Sequence, residues 1–252
     1  MERHEPHVVV TADRQGFAAA GSRLWVDAVR HALAARGAFH VALAGGNTPR
    51  SLAEAVTSEP DLDFAWHRTH VWWGDERAVP PDHPDSNYAM AEELLLARVP
   101  IPPTQVHRMP ADADDLEAAA RAYALTLAKG TGARRGEAPV LDLVWLGVGE
   151  DGHVASLFPG APALQVTDRW VEAVTDAPKP PPRRLTLTLP VLFAARRVVI
   201  LASGAEKSAI VRAAIEGGHG AEALPARTVA TATAGRLWLL DAAAASALTK
   251  RR

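Results

Sequence analysis

The sequence predicts an α/β fold of Rossmann-like type: a mostly parallel sheet with helices on both faces. Three observations carry that prediction. Short apolar runs alternate with longer amphipathic segments, the order expected when strands are joined by crossover helices. Most of the runs are rich in Val and Leu at both odd and even positions, as strands covered on both sides must be. Several runs end in glycine-rich turns that lead into a helix, which is where open α/β sheets bind ligands.

Taken in order, "HVVVTA" (7–12) is the first strand, and the amphipathic stretch 14–36 is the helix after it. "FHVALAG" (39–45) is the second strand; Pro49, a residue suited to a first helical turn, opens a helix over 49–57. "THVWWGD" (69–75) is the third strand. A Pro/Asp loop, "VPPDHPDSNY" (79–88), follows it, and Ser86 is placed to N-cap a helix over 86–98. Another helix is predicted over 114–129, then a mobile surface loop, "KGTGARRGEAP" (129–139). "VLDLVWLGVG" (140–149) is the fourth strand. "DAPKPPPRR" (176–184) forces extended backbone before each proline and leads into "RLTLTL" (184–189), whose strict alternation predicts a face that is polar or lines a site. "RVVILAS" (197–203), a helix over 205–216 and "GRLWLLD" (235–241) complete the series. No repeat, heptad or linker divides the 252 residues, so one domain over 1–252 is expected, and 48% hydrophobic residues suffice to fill its core.

Composition removes several function classes. Lys and Arg number 27 against 29 Asp and Glu, a net charge of -2, and the cations are spread along the chain. That leaves no electrostatic footprint for nucleic acid or an anionic membrane surface. With no cysteine there is no disulfide, thiolate nucleophile or Cys-based zinc site, which fits a reducing compartment. The start, "MERHEPHVVVTADRQG", has neither a signal-peptide core nor a membrane span, so a cytoplasmic location is expected. His4/His7 and His67/His70 are closely spaced but lack a third ligand, and no metal is expected. Trp66 and Trp72 are expected in the core or the cleft rather than at a subunit contact, and the protein is expected to be a monomer.

Chemistry concentrates at four strand ends. "GVGEDGHVASLFPG" (147–160) formally matches a dinucleotide fingerprint, but Glu150 and Asp151 would stand where a pyrophosphate needs bare amides. Pro159-Gly160 also breaks the chain before a long phosphate-binding helix can form. The better reading is that glycines such as Gly152 bring the backbone close to a small ligand while Asp151 and His153 face it. His153, with an ordinary pKa of about 6.5, is the natural general base. "LAGGNTPRSL" (43–52) presents Gly45, Gly46, Asn47 and Thr48 at a helix start suited to phosphate, without the Gly-Lys-Ser/Thr ending of a P-loop. "VWWGDERAVPPDHPDSNY" (71–88) clusters Asp75, Glu76 and Arg77, where Arg77 offers a rigid donor fork and Asp75 can orient or assist a base. "LASGAEKSAIV" (201–211) places Ser203, Gly204 and Lys207 at a second anion-friendly helix start. Four such clusters, two of them suited to phosphate, point to a phosphorylated small molecule in one cleft.

The runs "GGNTPRSL", "WGDERAVPPDHPDSNY", "LGVGEDGHVASLFPG", "PPPRRLTLTLP" and "SGAEKSAIV" resemble, in order and over almost the whole chain, the 6-phosphogluconolactonase family. The resemblance implies a Rossmann-like fold shared with glucosamine-6-phosphate deaminases. It also implies cofactor-free hydrolysis of 6-phospho-D-glucono-1,5-lactone to 6-phosphogluconate, the second step of the oxidative pentose phosphate pathway. The sister deaminases carry a Glu five residues after the histidine, in an Asn-Glu-Pro run, and a Tyr after the Asp-Glu pair; here those places hold Phe158 and Arg77. Lactone hydrolysis is therefore preferred over ring-opening isomerisation. Carried onto this chain, the resemblance implies His153 as the catalytic base, through Nε2 or Nδ1, with Asp151 or Asp75 orienting it. The oxyanion falls to the Gly45-Gly46 amides or to Arg77. The phosphate falls to Asn47, Thr48 and Lys207 with Arg77 or Arg184, although Arg183 and Arg184 point to opposite faces of their strand and either is placed to face the cleft.

Overall fold

The computed structural model describes residues 4–218 and 220–249, without the side chains of Asn47, Pro49 and Asp61. Its main sheet has six parallel strands: β1 (His7–Thr11), β2 (Phe39–Leu43), β3 (Thr69–Trp73), β5 (Leu143–Gly147), β8 (Val198–Ala202) and β9 (Arg236–Asp241), in the spatial order β1-β9-β8-β5-β2-β3. A second sheet of three antiparallel strands joins β4 (Asp75–Arg77), β7 (Arg184–Leu187) and β6 (Val171–Val174). The main sheet is flanked by helices. On it, α1 (Arg14–Arg36) packs with α2 (Asn47–Thr57), while α5 (Leu189–Ala194) and α6 (Ser208–Glu216) pack on α7 (Pro225–Ala232). Helix α3 (Asn87–Leu94) follows β4 and touches α2; α4 (Leu116–Thr131) covers β6 and β7.

Local chemistry sets the helix boundaries. The side chains of Asp13, Ser86 and Asp115 accept the amides of Gly16, Ala89 and Ala118, capping α1, α3 and α4 as short polar N-caps do. Gly37 and Gly132 end α1 and α4 in the left-handed conformation. The stretch that the sequence reads as a loop from 129 therefore stays helical to Thr131. The core is aromatic at its centre: Trp25 meets Phe39, Trp66 and Trp145 at ring-centroid distances of 5.5, 6.4 and 4.9 Å. Trp66 and Trp72 are both buried, as expected.

Two expectations about strands need correction. The run 69–75 is not one strand, because the chain leaves the main sheet at Gly74. There the Gly74 amide donates to Leu43 O and the Gly74 carbonyl accepts from Leu187 N, both at 2.8 Å, so one residue belongs to both sheets. The run 184–189 is not in the parallel sheet at all. Its first four residues form β7, the centre of the small antiparallel sheet, and the run is buried throughout, because its threonines find partners: Thr186 Oγ1 accepts from Ser156 N, and Thr188 Oγ1 donates to Arg169 O at 2.6 Å. Strands β4 and β6 and helices α5 and α7 lie outside the predicted series; at three and four residues for the strands and six and eight for the helices, each is at or below the shortest run that periodicity can declare for its type.

Candidate active site

From β2 the chain moves outward to β3, whereas from β5 it moves the other way to β8 and β9, so the strand order reverses between β2 and β5. A crevice opens at the carboxyl ends of strands at such a point. Gly45 and Gly46 leave β2 there, and the 147–153 turn leaves β5 beside them. Between them lies a cavity of about 610 Å³, whose walls bring together residues from all four polar clusters: Gly45, Thr48, Asp75, Arg77, His153 and Lys207 among them.

His153 is braced from behind. Its Nδ1 lies 2.5 Å from Asp151 Oδ1, and its backbone amide donates to the same oxygen at 3.2 Å. A carboxylate only accepts, so Nδ1 carries the hydrogen and the neutral ring keeps its lone pair on Nε2. Asp151 itself does not line the cavity, whereas His153 does. Burial pushes the imidazole below its ordinary pKa, against the opposing hydrogen bond and charge of Asp151 and the charge of Asp75. Burial alone would raise Asp151, but the hydrogen bonds and charge of His153 hold it below the usual carboxylate range. The pair is thus a neutral base beside an anion near neutral pH. Gly149 has to be glycine, since a Cβ there would overlap His153 Nδ1 and Asp151 Oδ1. Phe158, almost fully buried, supports the imidazole with its ring at 4.4 Å.

Asp75 reaches the cavity from β4 and is held by other partners. Ser156 Oγ donates to its Oδ2 at 2.7 Å, Asn87 Nδ2 donates to its Oδ1 at 3.1 Å, and Arg184 Nη1 stands 3.9 Å away. Of the two carboxylates that the sequence leaves open as the orienting group, Asp151 is the one bonded to the ring. Arg184, not Arg183, faces the cleft; Arg183 donates to Asp114 O. The Arg184 guanidinium is largely engaged, with Nε on Pro181 O, Nη2 on Lys179 O and Pro180 O, and its Nη1 toward Ser156 and Asp75. It therefore organises the proline-rich loop more than it offers donors to a ligand. Arg77 has more to offer: Nη1 donates to Asp85 O, and its buried Nε has no protein partner. Glu76 turns away and accepts from the Arg77, Asn87 and Tyr88 amides and from Ser86 Oγ, fixing the start of α3; burial raises its pKa against those amides.

The opposite wall suits an anion. Gly46, at φ 95°, caps α2 without a side-chain hydrogen bond, and Thr48 lines the cavity from its first turn. The Asn47 backbone opens α2, but its side chain lies outside the described residues. Across the cleft, Ser203, Gly204 and Lys207 form the turn after β8. The Ser203 hydroxyl donates to Asp241 Oδ2 at 2.5 Å, and Asp241 also accepts the Gly204 amide, so Ser203 shapes this turn rather than offering its hydroxyl proton to a ligand. Gly152, like Asp151, was expected to face the ligand and does not line the cavity. Its left-handed φ of 83° turns the chain behind His153, its carbonyl accepts from Ala226 N, and a Cβ would strike Leu224. Arg14 and Lys179 line the cavity without having been expected there, because each lies on an element whose approach depends on tertiary packing. Among the described residues, no group of three or more His, Cys, Asp or Glu is arranged to hold a metal, and no helix is long and apolar enough to cross a membrane.

A carboxylate-braced imidazole at the switch point of a Rossmann-like sheet, facing cationic side chains and bare helix-start amides, is an arrangement suited to acid–base chemistry on a small anionic molecule. Comparison with known proteins makes the class specific. Residues 12–238 match the family of glucosamine-6-phosphate isomerases and 6-phosphogluconolactonases. A 6-phosphogluconolactonase of Streptomyces coelicolor is 41% identical over 251 residues, covering 97% of this chain and 95% of that one. One from Mycobacterium tuberculosis is 44% identical, covering 92% of this chain and 93% of its own. Among solved structures, the 6-phosphogluconolactonase of Trypanosoma brucei superposes with a TM-score of 0.82 at 32% identity, covering 97% of this chain and 99% of that one. A monomeric glucosamine-6-phosphate deaminase shares the fold, with a TM-score of 0.79 at 21% identity over 96% of this chain and 99% of its own. The chain belongs to the 6-phosphogluconolactonase family, within the superfamily that includes those deaminases.

Proposed function

We propose that the protein hydrolyses 6-phospho-D-glucono-1,5-lactone to 6-phospho-D-gluconate, in the oxidative branch of the pentose phosphate pathway, with His153 as general base and acid. The observation that carries this is the Asp151–His153 pair, which ties up Nδ1 and leaves the Nε2 lone pair for the cleft. Nε2 removes a proton from water as the oxygen attacks the lactone C1 carbonyl, and the imidazolium then returns that proton to the departing ring oxygen. Asp151 orients the ring and balances its charge, as a carboxylate does in a triad, and Asp75 adds a second negative charge. The Arg77 guanidinium, or the Gly45 and Gly46 amides, meets the tetrahedral oxyanion. The phosphate lies toward Thr48, Lys207 and Arg14. The cavity wall carries the cations Arg14, Arg77, Lys179, Arg184 and Lys207 against the acids Asp75, Glu150 and Glu206, an excess suited to a phosphate dianion. Phe158 under the imidazole leaves no acid–base group where a ring-opening isomerase needs one. We take the protein to be a monomer, and we place it in the cytoplasm.

The test follows hydrolysis of the phosphorylated lactone, generated in situ, with unphosphorylated gluconolactone as control. Wild type is expected to be fast on the phosphorylated lactone, and His153→Ala to lose at least about 10²-fold while staying folded. No acceleration over water by wild type refutes the lactonase reading, and ammonia release from glucosamine 6-phosphate would install the sister activity instead.

A further inference from the structure

A row of buried polar groups runs behind the cleft and reaches it at Asp75 and Arg184. Ser156 is fully buried and is not part of the cavity wall. Its hydroxyl lies 2.7 Å from Asp75 Oδ2, Arg184 Nη1 points at it from 3.4 Å, and its amide donates to Thr186 Oγ1 at 3.2 Å. These contacts give the hydroxyl one direction. Arg184 only donates, so Ser156 accepts from it and must spend its single proton on Asp75. Thr186 is fixed in the same way, since it accepts from Ser156 N and donates to Leu187 O at 3.1 Å. On the other side of the carboxylate, Asn87 Nδ2 donates to Oδ1 and, at 2.8 Å, to the Asp75 carbonyl. Asn87 is seated by Gly45, where any Cβ would overlap its side-chain amide. Asp75 is thereby gripped from both sides while it still reaches the cleft.

We propose that Ser156 is a positioning residue for the hydrolysis: it holds the Asp75 carboxylate where its charge faces the imidazolium that His153 becomes during the reaction. The inference rests on the proposed lactonase activity. Ser156 touches no substrate and works only through Asp75. Because the imidazolium exists only once the proton has moved, a loosened Asp75 slows turnover and leaves ground-state binding alone.

A double-mutant cycle tests this, with kcat and KM for phosphorylated-lactone hydrolysis measured for wild type, Ser156→Ala, Asp75→Asn and the double variant, and circular dichroism checking the fold. Ser156→Ala is expected to lower kcat about 10-fold with KM within about 2-fold, the scale of one charge-assisted hydrogen bond. In the Asp75→Asn background the same change should cost less than about 2-fold. An equal loss in both backgrounds, a loss confined to KM, or no loss at all overturns the proposal. If the alanine variant does not fold, Ser156→Cys keeps the volume with a far weaker donor and carries the same expectations. Absence of lactonase activity in wild type refutes the function, and this proposal with it; an active wild type with an additive cycle refutes Ser156 alone.

Discussion

Replacing Asp151 by asparagine keeps the size of the group behind His153 and removes its charge, and it moves two observables in directions that are easy to confuse. The bond at stake is the 2.5 Å contact from His153 Nδ1, a charge-assisted hydrogen bond of a kind worth about 1.5–3 kcal/mol. The Asp151 side chain is 33% exposed, so solvent screening places its contribution toward the lower end. At about 1.4 kcal/mol per factor of ten, kcat should fall about 10- to 10²-fold. The pH dependence should move as well. In the native protein burial lowers the imidazole pKa, while the hydrogen bond and charge of Asp151 work against it. Without the carboxylate that opposition shrinks, and the imidazole pKa falls further. A general base must be unprotonated, so the acid limb of kcat/KM, which reports the free enzyme, shifts to lower pH. The variant is therefore slower at its plateau but holds that plateau into more acidic solution. The assay is kcat/KM for the phosphorylated lactone across the acid limb for both proteins. An unchanged rate, or a limb that stays put or moves to higher pH, would refute the assignment of Asp151 as the group that orients and charges the base.

Two further outcomes follow from the same coordinates. Gly149→Ala places a methyl group on His153 Nδ1 and Asp151 Oδ1, so activity should fall by about 10² or more while the melting temperature changes little; an active Gly149→Ala enzyme would mean that the ring is not held where it stands. Away from the cleft, His40, His70, His107 and Trp72 form a stacked cluster, with His70 Nδ1 3.1 Å from His107 Nε2 and Trp72 Nε1 donating to His40 Nδ1; these bonds require a neutral His40 and a neutral ring in at least one of His70 and His107. Burial, then charge repulsion within the cluster and, for His40, from Arg36, lowers His40 and His107 to about 4, and burial lowers His70. The unfolded chain therefore takes up protons before the folded one. Stability from this cluster is complete above about pH 6.5, is lost as pH falls toward 4, and changes little below that. Discounted for the partly exposed rings, the loss is about 2–4 kcal/mol, a fall in Tm of roughly 5–15 °C. Thermal melts at pH 7 and 4.5 check it, and a His107→Phe variant that melts with the same pH dependence would contradict it.

The sequence announces those parts of the site that depend on neighbours in the chain. Asp151, Gly149 and His153 are local to one turn, as are Gly45, Gly46 and Thr48, and composition and order suffice to find them. What engages the rival carboxylate elsewhere is not local. Asp75 also stands at a strand end, but its partner Ser156 is 81 positions away, and no spacing rule connects them. Likewise Asp241 closes the 203–204 turn from the end of β9, and Lys179 comes to the rim because the loop carbonyls at 179–181 bond to Arg184. The parallel sheet was legible because its strands, five or six residues each, are mostly apolar on both parities. The small sheet was not: β4 has three residues, and β7 buries threonines that alternate as if exposed.

Gly74 matters for how much play the reacting groups are allowed. His153 and the anion wall are fastened to the large sheet, whereas Asp75, Arg77 and Arg184 are fastened to the small one, and the chain passes from β3 to β4 through this one residue. A slide of one sheet over the other by a single ångström would disturb the spacing of Asp75 and His153, an error large enough to cost about 10²-fold in rate. The Gly74 amide is pinned to β2 and its carbonyl to β7, so that slide must first break backbone bonds on both sides of the joint. Tolerance in the machine is thus set by a residue with no side chain, the one immediately before Asp75.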